Sequence, residues 1–264
     1  MVLPPIIEFL KDKSVLILGF GREGQSTYNY IRKYLPEKLL GIGDGREQKI
    51  DDENVEYFCG EDYLSHIGKF DVVMKSPGIS FVNVDIPDGT YVTCQTDLFM
   101  KYAPCKKIGV TGSKGKTTTS TLTYKMLCAG GVSCELMGNM GLPVFDYIEE
   151  MTADKIAVIE MSSHQLEFTR NSPDVSILTN IYEEHLEHYK GGMTGYVNSK
   201  LNIVKHQSEN DTFIYNGTQG LAPYLDLNTV KSNVIAVKKD AELPFSINNI
   251  HLAGEHNRHD VLYA

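Results

Sequence analysis

No stretch of this 264-residue chain approaches the roughly 18 consecutive apolar residues that a membrane-spanning helix needs. No Cys-x-x-Cys pair occurs among its five cysteines, Cys59, Cys94, Cys105, Cys128 and Cys134. The first absence excludes a helical bilayer span; the second, with the odd count, argues against a disulfide framework and for a reducing compartment. Positive charge is scarce too. Lys and Arg total 25 against 34 Asp and Glu, a net charge of −9, so there is no basic face to release phosphate counterions and no nucleic-acid partner is expected. Any anionic ligand must be held by local devices. The N-terminal segment carries Glu8 and Lys11 within its first apolar stretch and has no signal-peptide core, so a cytoplasmic location is expected. There is no internal repeat, charge run or low-complexity segment. What remains is ordinary: 42% hydrophobic and 22% charged residues, near globular averages, in a length that suggests about two domains.

Apolar runs alternate with helical patterns over the first hundred residues. Strands are expected at Val15–Leu18, Leu39–Ile42 and Asp71–Met74, with a helix near 24–34. This rhythm predicts a Rossmann-like, doubly wound parallel sheet. A second series begins after Ala103-Pro104, with strands near 106–111, 155–161, 175–180, 211–215 and 233–237 and helices near 117–129 and 194–206. The expected division is 1–103 and 104–264, the second unit being a P-loop ATPase-like α/β domain. The last residues, Val261–Ala264, follow Gly254-Glu-His-Asn-Arg-His and read as the opening turns of a helix that should continue, which suggests a fragment.

The densest chemical signal is Thr111-Gly-Ser-Lys-Gly-Lys-Thr-Thr118, which follows the apolar Ile108-Gly-Val110 and opens an amphipathic helix. Glycines let backbone N–H groups converge on phosphate oxygens at the positive end of the helix dipole. Gly112, Ser113, Lys114, Gly115, Lys116, Thr117 and Thr118 are therefore the candidate ATP cradle. Lys116 would reach the terminal phosphates and Thr117 would ligate Mg2+. The strict G-x-x-x-x-G-K-[ST] pattern is not met, because Val110 stands five before Gly115 and the neighbouring glycine is Gly109.

Gly19-Phe-Gly-Arg-Glu-Gly24 also sits between a strand and a helix, with Asp44 twenty residues beyond, the spacing of a dinucleotide fingerprint. NAD, another nucleotide diphosphate, or a glycine turn that only packs helix on strand are all compatible with it. Glu160 ends the strand Ile156–Ile159, where open α/β sheets place ligands, and could hold Mg2+ beside Thr117. His185 and His188, at i, i+3 spacing among acids, invite a zinc reading, but no cysteine partner lies near. A single histidine ligand to magnesium or a solvated acidic helix fits better. His164 reads as structural, and Lys200 reads as a surface lysine.

In order, the Thr111–Thr118 loop, Gly138-Asn-Met-Gly-Leu-Pro143, Glu160-Met-Ser-Ser-His-Gln-Leu-Glu167, Asn180 to His185, Lys200 and Gly254-Glu-His-Asn257 resemble the Mur ligase family of ATP-dependent amino-acid ligases in peptidoglycan synthesis. The resemblance covers nearly the whole chain. Within the family, Ser76-Pro-Gly-Ile79 and Ser-Ser-x-Gln-Leu-Glu are similar to the branch that adds D-glutamate to UDP-N-acetylmuramoyl-L-alanine, and Ser-Ser-His to the branch that adds diaminopimelate or lysine.

The resemblance implies that Lys116 neutralises the β and γ phosphates, that Thr117 and Glu160 hold one Mg2+, and that His185 and a carbamylated Lys200 hold a second. Lys116, His185 and Lys200 would then carry the chemistry. It implies that Asn257 and Asp260 approach the nucleotide, and that Gly21, Arg22, Glu23, Asp44, Arg46, Ser76, Gly78 and Asn139 contact the UDP-linked substrate, which moves the first fingerprint from NAD to UDP. Two departures stand out. Lys114 occupies a position often held by asparagine, and Asp260 stands where an asparagine commonly meets adenine; a carboxylate cannot donate the hydrogen bond an amide can. The family's third, C-terminal domain is absent from these residues, so the chain alone is expected to be inactive as a ligase.

Overall fold

The structure is a computed structural model; it describes residues 2–238, 240–241 and 256–264, and for 256–259 the backbone only. After a short helix α1 (Pro5–Leu10), the chain runs β1 (Val15–Leu18), α2 (Arg22–Tyr34), β2 (Leu40–Asp44), β3 (Val55–Cys59), β4 (Val72–Lys75), β5 (Tyr91–Thr93) and α3 (Gln95–Tyr102). These five strands form one parallel sheet in the order β3-β2-β1-β4-β5. The strand order reverses beside β1, so the crevice between the loops after β1 and β4 is where such sheets bind ligands. β1 is apolar and buried at every position, as an interior parallel strand covered on both faces must be.

Next come β6 (Lys106–Thr111), α4 (Lys116–Ala129), β7 (Cys134–Gly138), β8 (Ile156–Glu160), the single turn α5 (Ser163–Leu166), β9 (Val175–Leu178), α6 (Met193–Lys205), β10 (Thr212–Asn216), β11 (Asn233–Val237) and α7 (His256–Tyr263). The second sheet, also wholly parallel, has the order β11-β10-β9-β6-β8-β7. β6 is central, so Thr111, Glu160, Thr179 and Asn216 leave neighbouring strands on one edge.

One apolar cluster joins the two sheets. Ile17, Tyr30, Ile31 and Phe99 from the first half pack with Met137, Phe145, Ile159 and Leu166 from the second. Alternate residues of the first sheet, Leu16, Leu18 and Val73, build a separate cluster on its other face, and Val110, Ile177 and Tyr263 do so for the second, following the two-residue period of strands. Helix α2 forms the seam. Its Ser26 donates to Asp146 at 2.6 Å, Tyr30 meets Phe145 with ring centroids 5.0 Å apart, and Lys33 pairs with Glu149 at 2.5 Å. Gln95, at the start of α3, donates to Thr27 and to the Glu23 carbonyl, both at 2.9 Å, and accepts from Phe145 N–H at 3.3 Å.

Candidate functional site

The candidate phosphate loop, Thr111–Thr118, bridges β6 and α4. Gly115, the N-cap of α4, has φ +86°, a left-handed conformation that costs other residues roughly 1–2 kcal/mol; a Cβ there would also lie 2.5 Å from Asp260 Oδ1. The segment after β9 holds the loop in place. Asn180 Oδ1 accepts from Lys114 N–H at 2.8 Å and its Nδ2 donates to the Lys114 carbonyl at 2.9 Å, while Thr179 Oγ1 donates to that carbonyl at 2.6 Å. Ser113 Oγ lies 2.6 Å from the Tyr196 hydroxyl and accepts from Tyr182 N–H at 2.8 Å.

Two lysines converge on this loop. Lys116 Nζ donates to the carbonyls of Gly112 and Ser113, each at 2.9 Å, and Lys200 Nζ, from α6, donates to the Gly112 carbonyl at 2.8 Å. Lys200 is only 2% exposed, so its reading as a surface lysine is corrected: α6 turns it inward under the loop. Burial, reinforced by the Lys116 charge, brings its pKa from 10.5 down to about 7, since both effects disfavour an ammonium.

Glu160, 2% exposed, accepts from Asn139 Nδ2 at 2.8 Å through Oε1, while its Oε2 is buried without a hydrogen-bond partner. A buried, unsatisfied carboxylate oxygen is costly, and a hard divalent cation fits its chemistry: magnesium keeps several waters and takes one or two protein carboxylates plus phosphate oxygens. Thr117, exposed at the first turn of α4, has the donor such a site needs.

His185 takes a left-handed backbone, φ 53°, uncommon for a residue with a Cβ. Its ring lies 5.2 Å from that of His164, which lies 3.9 Å from that of His188 and stacks on Tyr189. Burial first, then His188 and His185, push the His164 pKa down to about 3, so it is a neutral imidazole, and the Tyr189 hydroxyl sits 2.7 Å from its Nδ1. The His164 ring is thus engaged by His188 and Tyr189. Among the described residues no group of three His, Cys, Asp or Glu side chains is placed to hold a metal ion.

In the first sheet, Gly24 packs so tightly that a Cβ would lie 2.1 Å from the Gly19 carbonyl, and Ser76 Oγ donates to that carbonyl at 2.8 Å, joining the two loops of the crevice. Asp44 accepts from Phe20 N–H at 2.7 Å and Arg46 N–H at 2.9 Å, bracing the loop after β1. Gly21 and Arg46 are exposed beside it, and Gly78 is exposed in the facing loop. Arg22 donates to the Gly141 carbonyl at 3.0 Å, crossing to the second sheet. A cavity of about 180 Å³ is lined there by Arg22, Glu23, Pro77, Asn139 and Gln165. It brings Arg22, Glu23 and Asn139 together; Asp44 and Arg46 lie outside its lining. A second cavity of about 180 Å³ joins Lys114 and Gly115 to Asp260. The side chain of Asn257 lies outside the described residues.

The sequence model of the Mur ligase middle domain matches residues 110–263, more than half of the chain. The chain belongs to the Mur ligase family. Its members are ATP-dependent amino-acid ligases. Curated relatives named UDP-N-acetylmuramoylalanine–D-glutamate ligase include one from Clostridium acetobutylicum, 36% identical over 221 residues, with 80% of this chain and 48% of that protein covered. The one from Clostridium kluyveri is 33% identical over 226 residues, covering 79% and 48%. The chain thus spans about half the length of these relatives. In three dimensions it is similar to the UDP-N-acetylmuramate:L-alanyl-gamma-D-glutamyl-meso-diaminopimelate ligase from Neisseria meningitides, with TM-score 0.55 and 16% identity over 95% of this chain and 91% of that one. At that identity the likeness speaks to the fold, the two-sheet α/β architecture expected from the sequence.

Several residues of the site escaped sequence reasoning. Tyr196, whose hydroxyl meets Ser113, lies in the middle of a helix. Asn216 carries no motif; its one signal is a place at the end of an apolar strand, β10.

Proposed function

We propose that this chain supplies the UDP-substrate and ATP sites of a ligase that adds D-glutamate to UDP-N-acetylmuramoyl-L-alanine through an acyl phosphate. In this reading residues 1–103 hold the UDP-linked substrate and 104–264 hold ATP. The observation that carries it is the convergence of Lys116 and buried Lys200 on the Gly112 carbonyl, within a sheet edge that also presents the orphaned Glu160 Oε2.

The substrate carboxylate attacks the γ-phosphorus, ADP leaves, and the amine of D-glutamate then displaces phosphate from the acyl phosphate. No enzyme nucleophile is needed; positioning and charge neutralisation carry the rate. Lys116 would exchange its loop carbonyls for phosphate oxygens. Thr117 and Glu160 would hold one Mg2+, and His185 and a carbamylated Lys200 a second, neutralising charge between the phosphates and the attacking carboxylate. A pKa of about 7 gives Lys200 the neutral amine that carbamate formation requires. Asn139 would orient Glu160 while facing the substrate, and Arg22, Glu23 and Gly21 with Ser76 and Gly78 would line the diphosphate path, Asp44 and Arg46 the uridine end.

Calorimetric titration with UDP-N-acetylmuramoyl-L-alanine, UDP-N-acetylmuramic acid and NAD tests the reading. Preference for the alanyl nucleotide is expected. Preference for NAD, or no heat from any of the three with a folded sample, would overturn the first-sheet assignment. Equal binding of the two UDP compounds would remove the support for the D-glutamate step and favour another branch of the family.

A further inference from the structure

We propose that Cys128 and Cys134 form a redox modification site, in which hydrogen peroxide oxidises Cys128 and Cys134 then closes an intramolecular disulfide. The two sulfurs lie 3.5 Å apart, across the turn that joins α4 to β7. Of the five cysteines Cys128 alone is exposed, while Cys134 is buried, so the pair offers one thiol to solvent and holds the other behind it.

Backbone geometry builds this approach. Helix α4 ends at Ala129, and Gly130 and Gly131 turn the chain back: their N–H groups donate to the Met126 and Cys128 carbonyls, each at 3.0 Å, and Val132 N–H donates to the Leu127 carbonyl at 2.9 Å. Gly131 takes φ +78°, a conformation open to glycine. Cys134 then enters β7 in register with Ile156 of β8, and its Sγ donates to the Tyr124 carbonyl at 3.7 Å, which fixes it against the last turns of α4. Bonding distance is about 2.0 Å, a closure that rotation of the exposed Cys128 side chain can supply. Lys116 opens α4 and Cys128 lies in its last turn, about 18 Å further along the axis, so the pair is separate from the Thr111–Thr118 loop.

Exposure divides the roles. Burial first, then the hydrogen bond and charge of Cys128, push the Cys134 pKa from 9.0 up to about 11, which keeps it a thiol. Cys128 is the group that a solvent oxidant meets. Its sulfur attacks one peroxide oxygen, the O–O bond breaks, and the Cys128 proton leaves with the other oxygen as water, giving a sulfenic acid. The Cys134 sulfur then attacks the sulfenic sulfur, the S–O bond breaks, and the hydroxyl leaves as water with the Cys134 proton. Two thiols are oxidised and one peroxide is reduced to two waters. In a reducing compartment such a bond is transient and redox-sensing rather than structural.

Peroxide treatment of the folded chain, followed by unfolding, alkylation with iodoacetamide and tryptic digestion, tests this. Cleavage after Lys125 and Lys155 releases one peptide that holds both cysteines and no other. That peptide is expected to lose both alkylations and about 2 Da, apart from any methionine oxygens, and to regain both alkylations when dithiothreitol precedes the iodoacetamide. Cys134→Ser should instead hold Cys128 as a sulfenic acid that dimedone captures, and Cys128→Ser should leave Cys134 alkylatable at the same dose. A wild-type peptide with Cys128 as sulfinic acid or dimedone adduct and Cys134 free would overturn the proposal, as would disulfide-linked dimers through Cys128. Both thiols intact in a peptide whose exposed Met126 has become the sulfoxide would overturn it too. If Cys134→Ser fails to fold, the wild-type peptide alone decides.

Discussion

Glu23 should make the stability of this protein depend on pH in a way that a single isosteric substitution abolishes. Its carboxyl group lies in the seam between the sheets: Oε2 accepts from Gln165 Nε2 at 3.4 Å and Oε1 is buried without a partner. Desolvation raises its pKa from 4.5 to about 7, opposed by the Gln165 hydrogen bond and by Lys75. A carboxyl whose folded pKa exceeds its unfolded one binds its proton more tightly when folded. The stability it contributes is therefore complete below about pH 4.5 and is lost as pH rises through about 7. Linkage over those two values predicts a loss of about 2.5 kcal/mol between pH 5 and pH 8. With a urea m-value of about 2–3 kcal/mol/M, the midpoint should fall by about 1 M. Glu23→Gln keeps the shape and stays neutral, and subtracting its curve from the wild type's cancels every other titrating group. The difference should grow by about 2.5 kcal/mol between pH 5 and pH 8. A difference that stays flat across this range would refute the reasoning.

Lys75 is 2% exposed with Nζ 3.3 Å from Glu167 Oε2, so Lys75→Met should cost about 3 kcal/mol or more by stranding a buried carboxylate; adding Glu167→Gln should recover much of that loss in chemical denaturation. Gly115→Ala must take a left-handed backbone and crowd Asp260, and a fall in melting temperature of several degrees, with loss of nucleotide binding, is expected in thermal melts. Lys200 is neutral above its pKa of about 7, so a carbamate carbon signal from ¹³C-bicarbonate should grow from pH 6.5 to 8.5 in NMR and be missing in Lys200→Arg; a signal of equal size in that variant would remove the carbamate role.

Strands that carry an apolar run, and the helices beside them, were legible in the sequence. Val15–Leu18, Lys106–Thr111 and Asn233–Val237 fall where expected, and the helices near 24–34, 117–129 and 194–206 are α2, α4 and α6 within two residues. β3, β5 and β7 were not foreseen. β5 has three residues, and β3 and β7 carry Glu56 and Glu135, so their strand state comes from parallel partners rather than local pattern. The site divides the same way. Glycines and the phosphate-loop lysine announce themselves through backbone demands, whereas the inward turn of Lys200 depends on how α6 lies against the loop, which no window of sequence encodes. The Glu23–Gln165 contact and the Arg22–Gly141 bond join residues more than a hundred positions apart.

Every strand-to-strand pairing among the described residues is parallel, and this dictates when the Thr111–Thr118 loop can take shape during synthesis. β6 has no neighbour in the sheet until β8 is made, with Lys106 opposite Ile156, and its loop end lacks its second flank until β9 places Leu178 opposite Thr111. The clasp from Asn180 follows immediately after. Parallel contacts of such long sequence separation are slow to close, so the Thr111–Thr118 loop should remain open on the nascent chain until about residue 180 has emerged, well after the first sheet has all five of its strands.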